Sequence, residues 1–146
     1  MKKIEPLSWP NNWENGLPKS KLRRFGLGKI LPFGAEYKVE KYIQSQLMCR
    51  DPAVCLSLWG NDENRINIYR EFCNIIKNCF KWKNLNFIPD DPFLIIFFDA
   101  TGFHVDDARD DTFFEMEKKW HITYSDIQGW NSLTLSKVID NIKDKL

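Results

Sequence analysis

A length of 146 residues is that of one ordinary domain, and such a chain can bury enough apolar surface to fold without disulfides or metal. Hydrophobic residues make up 43% and charged residues 28%, a balance typical of globular rather than disordered proteins. No apolar run approaches the ~20 residues of a membrane-spanning helix, and no apolar stretch follows the basic start as in a secretory signal. We therefore expect a cytoplasmic protein without a membrane partner.

Residues 1–33 are interrupted by prolines and glycines, so this segment is predicted to be irregular, with short elements only. It contains a basic turn at residues 19–24. Nucleic-acid binding through Lys21, Arg23 and Arg24 would use such clustered cations against phosphates. Because the cluster is short and the net charge is only +1, a solvated face or docking onto an acidic partner is favoured over nucleic acid.

A first helix is predicted from Ala35 to Met48, because apolar residues recur there at helical spacing. The positions that share this predicted apolar face are Val39, Tyr42, Ile43 and Leu47. The dipeptide that follows, Asp51-Pro52, is interpreted as a break.

A second, longer helix is predicted to begin at Asn61 or Asp62, which are both good N-cap residues, and to run to about Phe80. Its regular apolar stripe consists of Ile66, Tyr69, Phe72, Cys73 and Ile76. Prolines forbid a continuous helix over residues 82–92, which are predicted to form a loop. The apolar run Phe93–Phe98 fits either a buried strand or a short buried helix.

Two further helices are predicted in the last third of the chain. One runs from Asp106 or Asp107 to Trp120, with acidic residues near its start and lysines near its end, as the helix dipole favours. The other begins after Thr134, a candidate N-cap. Its apolar face consists of Leu135, Val138, Ile139 and Ile142.

The four cysteines favour buried, reduced thiols over a metal site. Cys49 and Cys55 have five residues between them, as do Cys73 and Cys79, whereas metal-binding knuckles place two to four residues between ligands. We therefore expect no metal.

The order of helix, loop with a Pro-Asp-Asp-Pro element, acid-headed helix, short link and final helix resembles acyl carrier proteins from about Ile68 to Ile142. In that family a Gly-Leu-Asp-Ser-Leu-type motif follows the loop, and the next helix ends in Glu-Glu-Glu-Phe-Gly-Ile. Residues 102–107 (Gly-Phe-His-Val-Asp-Asp) and 114–122 correspond to these segments, and residues 134–142 to the family's closing Thr-x-x-Asp-Leu-Ile-x-x-Ile. The resemblance implies a carrier-like helical domain over residues 61–146.

The resemblance also implies that the carrier function is lost. The position of the modified serine falls on Asp106, which has no hydroxyl for a phosphopantetheine ester. No serine lies between Ser57 and Ser125, and Thr101 precedes the glycine of the motif. We therefore expect no cofactor, as in bacterial proteins that have a carrier-like fold and lack the attachment serine. A carrier modified at an unexpected residue stays open as an alternative.

Enzymatic chemistry is not indicated by the sequence. A nucleophile needs a base, and the two histidines, His104 and His121, have no neighbouring nucleophile pattern. The pair Gly26 and Gly28 lacks the third glycine of a dinucleotide fingerprint and is interpreted as a turn.

The most unusual local feature is an acidic group on the helix that follows the loop, which consists of Asp106, Asp107, Asp110, Asp111 and Glu115. Several of these acids lie four residues apart, so like charges stack on the helix, at a cost of roughly 0.2–0.5 kcal/mol per pair. The group lacks the ligand pattern and glycine of a calcium loop. It is interpreted either as a solvated helix start or as a docking surface for a basic protein. Carrier proteins use the corresponding helix in the second way, so the resemblance implies docking.

These observations together predict a mainly α fold, in which residues 1–60 form an irregular extension with one or two helices packed on a carrier-like bundle of residues 61–146. The expected function is non-enzymatic protein binding, in particular that of an immunity protein or antitoxin that neutralises a basic, nucleic-acid-cleaving toxin. The alternatives are a carrier-like component of a biosynthetic or regulatory system and a nucleic-acid-binding protein that uses the basic N-terminal segment.

Overall fold

A computed structural model describes residues 3–14, 17–18, 35–80, 82–98, 105–127 and 129–146. Its structure is mainly helical, which confirms the predicted fold class. The helices are α1 (Ala35–Met48), α2 (Pro52–Ser57), α3 (Glu63–Cys79), α4 (Phe93–Ile96), α5 (Val105–Trp120), α6 (Tyr124–Ile127) and α7 (Leu135–Lys145), with a 3-10 helix at Trp130–Ser132. Two short antiparallel strands, β1 (Trp13–Glu14) and β2 (Leu17–Pro18), precede them. None of the helices that the structure describes has the length and apolarity needed to cross a bilayer.

The hydrophobic core is arranged around α3, which packs against both α5 and α7. Phe72 of α3, Met116 of α5 and Ile139 of α7 have no solvent-exposed surface. The N-terminal segment joins the same core through Leu7 and Trp13. Burying side chains of this size supplies most of the free energy that holds the helices together.

Helix α1 has the predicted bounds, Ala35–Met48, and buries three of the four predicted apolar positions, Val39, Ile43 and Leu47. The prediction for Tyr42 is wrong, because 41% of its surface is exposed. At 100° per residue, Tyr42 lies about 100° from the centre of the buried stripe. It therefore lies at the edge of the face.

The dipeptide Asp51-Pro52, predicted to be a break, separates α1 from α2. It also forms the start of α2. The Asp51 carboxylate accepts a hydrogen bond from the Val54 backbone N–H at 3.0 Å, which caps α2. Pro52 occupies the first turn, where its missing N–H costs nothing. Within the described part of residues 1–60, the helices are α1 and α2.

Helix α3 confirms the predicted long helix. Asp62 is its N-cap and accepts a hydrogen bond from the Arg65 N–H at 3.2 Å, and Phe80 follows its last residue. The ambiguous run Phe93–Phe98 contains a short helix, α4, and no strand. A helical turn provides hydrogen-bond partners for backbone groups of this buried segment, since the Phe97 N–H donates to the Phe93 carbonyl at 3.2 Å.

The loop of residues 82–92 is held to the body by a buried ion pair. Arg50 follows α1 and donates from both terminal nitrogens to the Asp91 carboxylate, at 2.7 and 2.8 Å. The same carboxylate accepts the backbone N–H groups of Leu7 and Ile88, both at 2.8 Å. Asp91 is completely buried and Arg50 is 8% exposed. One carboxylate thus fixes the N-terminal segment, the α1–α2 junction and the loop relative to one another.

The start of α7 differs in one detail from the prediction. Thr134 stands at the N-cap position, but its side chain makes no capping hydrogen bond. The first N–H groups of the helix donate instead to loop carbonyls: Leu135 to Asp91 at 2.8 Å, and Ser136 to Pro89 at 2.9 Å. The loop backbone therefore does the capping that the sequence analysis assigned to the threonine.

Candidate functional site

Helix α5 carries the acidic group, and its backbone begins at Val105, close to the predicted start at Asp106 or Asp107. One side of the helix is anchored in the core, where Thr112, Met116 and Trp120 recur every fourth residue and are at most 4% exposed. This spacing is that of a single helix face. The positions on the opposite side therefore face solvent.

The solvent side of α5 brings together an aromatic ring and three carboxylates. We call this surface the acidic face; it consists of Asp110, Asp111, Phe114 and Glu115, which are all exposed. Phe114 lies three and four residues after Asp111 and Asp110, so these side chains are neighbours on the helix. Within the part of the chain that the structure describes, the three carboxylates form no ion pair. Their charge is therefore open to a partner.

Phe114 stands out among the exposed side chains, because 63% of its surface faces solvent. The preceding residue, Phe113, takes the inward position and stacks on Phe97 with ring centroids 5.6 Å apart. Phe114 lies two residues, or about 200° around the helix, from both Thr112 and Met116, which are buried, so its ring is left outside the core. An exposed aromatic ring among charged residues is typical of a protein interface.

A groove between α3 and α5 adjoins the acidic face. Its volume is about 330 Å³, and its lining consists of Ile75, Asn78, Cys79, Asp111, Phe114 and Glu115. We call it the α3–α5 groove. Helix α3 supplies an apolar and an amide wall, and α5 supplies the ring and two carboxylates. A site of this size and composition fits one side chain of a partner better than a large ligand.

The groove thiol, Cys79, is not an activated nucleophile. Burial raises its pKa, the nearby carboxylates of Asp111 and Glu115 raise it further, and a hydrogen bond with Thr112 acts in the opposite direction. A thiolate forms readily only where positive charge surrounds the sulfur. Burial, to which the two carboxylates add, therefore keeps the Cys79 thiol protonated.

The other cysteines also fit the expectation of reduced thiols, and all four are free. Burial raises the pKa of Cys73 to about 12, and Tyr69 hydrogen-bonds to this thiol. Burial likewise raises the pKa of Cys55. Contrary to the expectation of burial, Cys49 is exposed, and Cys73 and Cys79 are partly buried. Among the described residues, no cluster of histidine, cysteine or carboxylate side chains is arranged to hold a metal ion.

A second concavity, of about 510 Å³, lies between residues 3–8 and the junction of α1 and α2. The side chains of Arg50 and Gln46 along it are engaged in structural contacts. Arg50 donates to the Glu5 carbonyl at 2.8 Å as well as to Asp91. The Gln46 side chain accepts the Ser8 N–H at 3.1 Å and donates to the Ser8 carbonyl at 3.0 Å. These contacts attach the N-terminal segment to the junction of α1 and α2.

Three of the five predicted partner-binding residues, Asp110, Asp111 and Glu115, are brought together on the acidic face. The side chains of Asp106 and Asp107 lie outside what the structure describes. The basic turn of residues 19–24, Gly26, Gly28, Thr101 and His104 also lie outside the described residues. His121 is exposed directly after α5.

Sequence reasoning missed Phe114 and the whole α3 side of the groove. The spacing within α5 was a usable signal, because Phe114 lies two residues, or about 200° around the helix, from Met116 on its buried side. The positions of Ile75, Asn78 and Cys79 opposite α5 follow from helix packing, which no local pattern encodes.

Comparison with known proteins does not add to this description. No protein-family model matches the chain, and neither the curated proteins nor the solved structures include a significant match.

Proposed function

We propose that this chain is a non-enzymatic protein-binding module that docks a basic partner on the acidic face of α5. The observation that carries the proposal is the exposure of Phe114 beside three carboxylates that have no ion-pair partner among the described residues. The ring supplies apolar area that becomes buried on binding, and the carboxylates supply charge that selects a basic surface.

The chemistry of the described residues supports a binding role over catalysis. Three of the thiols have raised pKa values, which disfavours nucleophilic cysteine chemistry. Within the described residues, His121 is exposed and makes no side-chain hydrogen bond to a nucleophile. Asp110, Asp111 and Glu115 are exposed, and the thiol beside two of them in the groove lining, Cys79, has a raised pKa.

A basic partner surface is characteristic of proteins that bind nucleic acid. The immunity-protein or antitoxin hypothesis is therefore the specific form of the proposal: the acidic face would cover the phosphate-binding surface of a nucleic-acid-cleaving toxin. This form requires a tight complex with one copy of each chain.

The test is a comparison of complexes captured from the native host with two charge-reversal variants. The first variant, Asp110→Lys with Asp111→Lys, reverses the acidic face. The second, Asp90→Lys with Asp144→Lys, makes the same change in net charge at exposed positions elsewhere. We expect a one-to-one complex in native mass spectrometry that the first variant loses and the second retains. Charge complementarity mainly speeds association, so the wild-type complex should weaken with salt.

Three outcomes would contradict parts of the proposal. If both variants keep the complex, the acidic face is not the docking surface. If the chain carries a covalent mass matching phosphopantetheine, the carrier alternative is correct. If the captured partner is an acidic protein, the charge argument fails.

A further inference from the structure

The α3–α5 groove combines two carboxylates, an aromatic ring and an amide. Its two carboxylates, Asp111 and Glu115, lie one helical turn apart and line the same depression. The ring of Phe114 forms part of the wall, and Ile75 on α3 is 8% exposed. The amide of Asn78 adds a polar group to the α3 side.

The carboxylates of the groove have no ion-pair partner among the residues that the structure describes. Neither Asp111 nor Glu115 forms an ion pair within the described residues, and the cation of Lys119 is turned to Glu71, at 3.5 Å. The negative field reaches the groove interior, since both carboxylates help to raise the pKa of Cys79. An occupant of the groove should therefore be a cation.

The shape and lining of the groove favour the guanidinium group of arginine over the ammonium group of lysine. A guanidinium group is planar, stacks on aromatic rings and donates in a fixed fork that can serve two carboxylates. An ammonium group is a compact, strongly hydrated charge that loses more water when it enters a partly apolar groove. The apolar wall of Ile75 and the ring of Phe114 suit the methylene stem and flat head of arginine.

We propose that the α3–α5 groove binds an arginine side chain of the protein partner, with Phe114 stacked on the guanidinium group and Asp111 and Glu115 accepting its hydrogen bonds. The inference rests on the proposed function and deepens it, since it names the residue by which a basic partner is recognised. The remaining acid of the face, Asp110, lies outside the groove lining and would act on the partner through longer-range charge.

The test uses the full chain, labelled with ¹⁵N, and three blocked tripeptides as probes. Their central residues are arginine, lysine and citrulline, the last being an uncharged analogue of nearly the same shape as arginine. We expect the arginine peptide to produce saturable shifts at the backbone amides of Cys79, Asp111, Phe114 and Glu115. The lysine peptide should bind several-fold more weakly, and the citrulline peptide should produce no saturable shift.

Conservative variants separate the parts of the site. Phe114→Leu keeps an apolar side chain without the aromatic face, and it should weaken arginine binding about two- to fivefold, as expected for an exposed cation–π contact. Asp111→Asn should also weaken binding of the arginine peptide, and it should make that binding less dependent on salt concentration. Glu117→Gln is the matched control: it removes the same charge from an exposed α5 position outside the groove, and it should leave the affinity within about twofold.

The results can be assigned to one proposal or the other. Equal binding of the arginine and lysine peptides, or shifts confined to other parts of the chain, would overturn the arginine assignment. If the arginine peptide fails while reversal of Asp110 and Asp111 still breaks the native complex, the docking proposal stands without the groove. If the peptide binds while that reversal leaves the complex intact, the docking proposal fails, and so does the assignment of the groove to this partner.

Discussion

His121 shows how one residue can be constrained by the end of a helix. Its φ angle is 54°, in the left-handed region, and its N–H donates to the Glu117 carbonyl at 2.8 Å. This is the position after a helix at which glycine is most often found, because glycine has no Cβ to clash there. The histidine thus ends α5 at a conformational cost.

Replacing this residue tests that cost. His121→Gly should stabilise the protein by about 0.5–1 kcal/mol, since relief of the left-handed strain outweighs the added flexibility of the unfolded chain. The measurement is the free energy of unfolding in urea. Lys118→Gly, at an exposed position inside the same helix, is the control and should destabilise by about 1 kcal/mol. If His121→Gly and Lys118→Gly destabilise the protein equally, the left-handed conformation of His121 has no conformational cost.

Among single residues, Phe114 and Tyr42 mark the limit of what the sequence can predict. The acids on α5 were recognisable because their spacing and charge are local properties. The outward position of Phe114 depends on which of two adjacent rings meets Phe97, and the exposure of Tyr42 depends on the width of the surface that covers α1. Both are decided by tertiary packing.

At the level of elements, ion pairs connect the polar side of α7 to its neighbours. Asp62, the N-cap of α3, pairs with Lys143, and Asp126 of α6 pairs with Lys145 at 2.7 Å. The hydrogen bond from Lys145, followed by those from Thr123, lowers the pKa of Asp126 to about 2 from an ordinary 3.8. The hydrogen bond from Lys143, followed by the Arg65 N–H, lowers the pKa of Asp62.

These pKa shifts predict how the stability of the protein depends on pH. A carboxylate whose pKa is lower in the folded state stabilises that state above the unfolded value, near 4, and the stabilisation is lost as the pH falls toward 2. We expect the melting temperature to fall in that window. Asp126→Asn should make the fall shallower there, whereas Asp90→Asn, at an exposed position without an ion pair among the described residues, should leave its slope unchanged. A slope that both variants leave unaltered would contradict the role of Asp126.

The amphipathic helices α1, α3 and α7 could be predicted from the sequence almost to the residue, because each buries one regular stripe. The loop between α3 and α4 could be predicted as a loop, but its contacts could not. Its Pro-Asp-Asp-Pro element was interpreted as a helix breaker, but its second aspartate, Asp91, is completely buried. The partner of Asp91, Arg50, lies 41 residues away in the chain, and no periodicity reports a contact of that range.

At the level of the whole molecule, the Arg50–Asp91 pair joins segments that the local helix patterns leave unconnected. Besides the pair itself, Asp91 accepts the N–H groups of Leu7 and Ile88, and Arg50 donates to the carbonyls of Asn86 and Glu5, at 2.9 and 2.8 Å. A buried ion pair alone can often be replaced by apolar side chains without loss of stability. Here the replacement would also leave backbone groups of two segments, residues 5–7 and residues 86–88, without these partners.

This difference yields a test with single and double variants. Asp91→Asn should destabilise the protein by about 3–5 kcal/mol, because it leaves the Arg50 charge buried and unpaired. The double variant Arg50→Met with Asp91→Leu should recover little of that loss, since each buried backbone group left unsatisfied costs about 1–3 kcal/mol. Urea unfolding gives the free energies, and hydrogen exchange at the Leu7 amide reports whether the N-terminal segment detaches. If the double variant returns to within about 1 kcal/mol of the wild type, the pair acts only through its own charges. The N-terminal segment would then be held by the apolar contacts of Leu7 and Trp13.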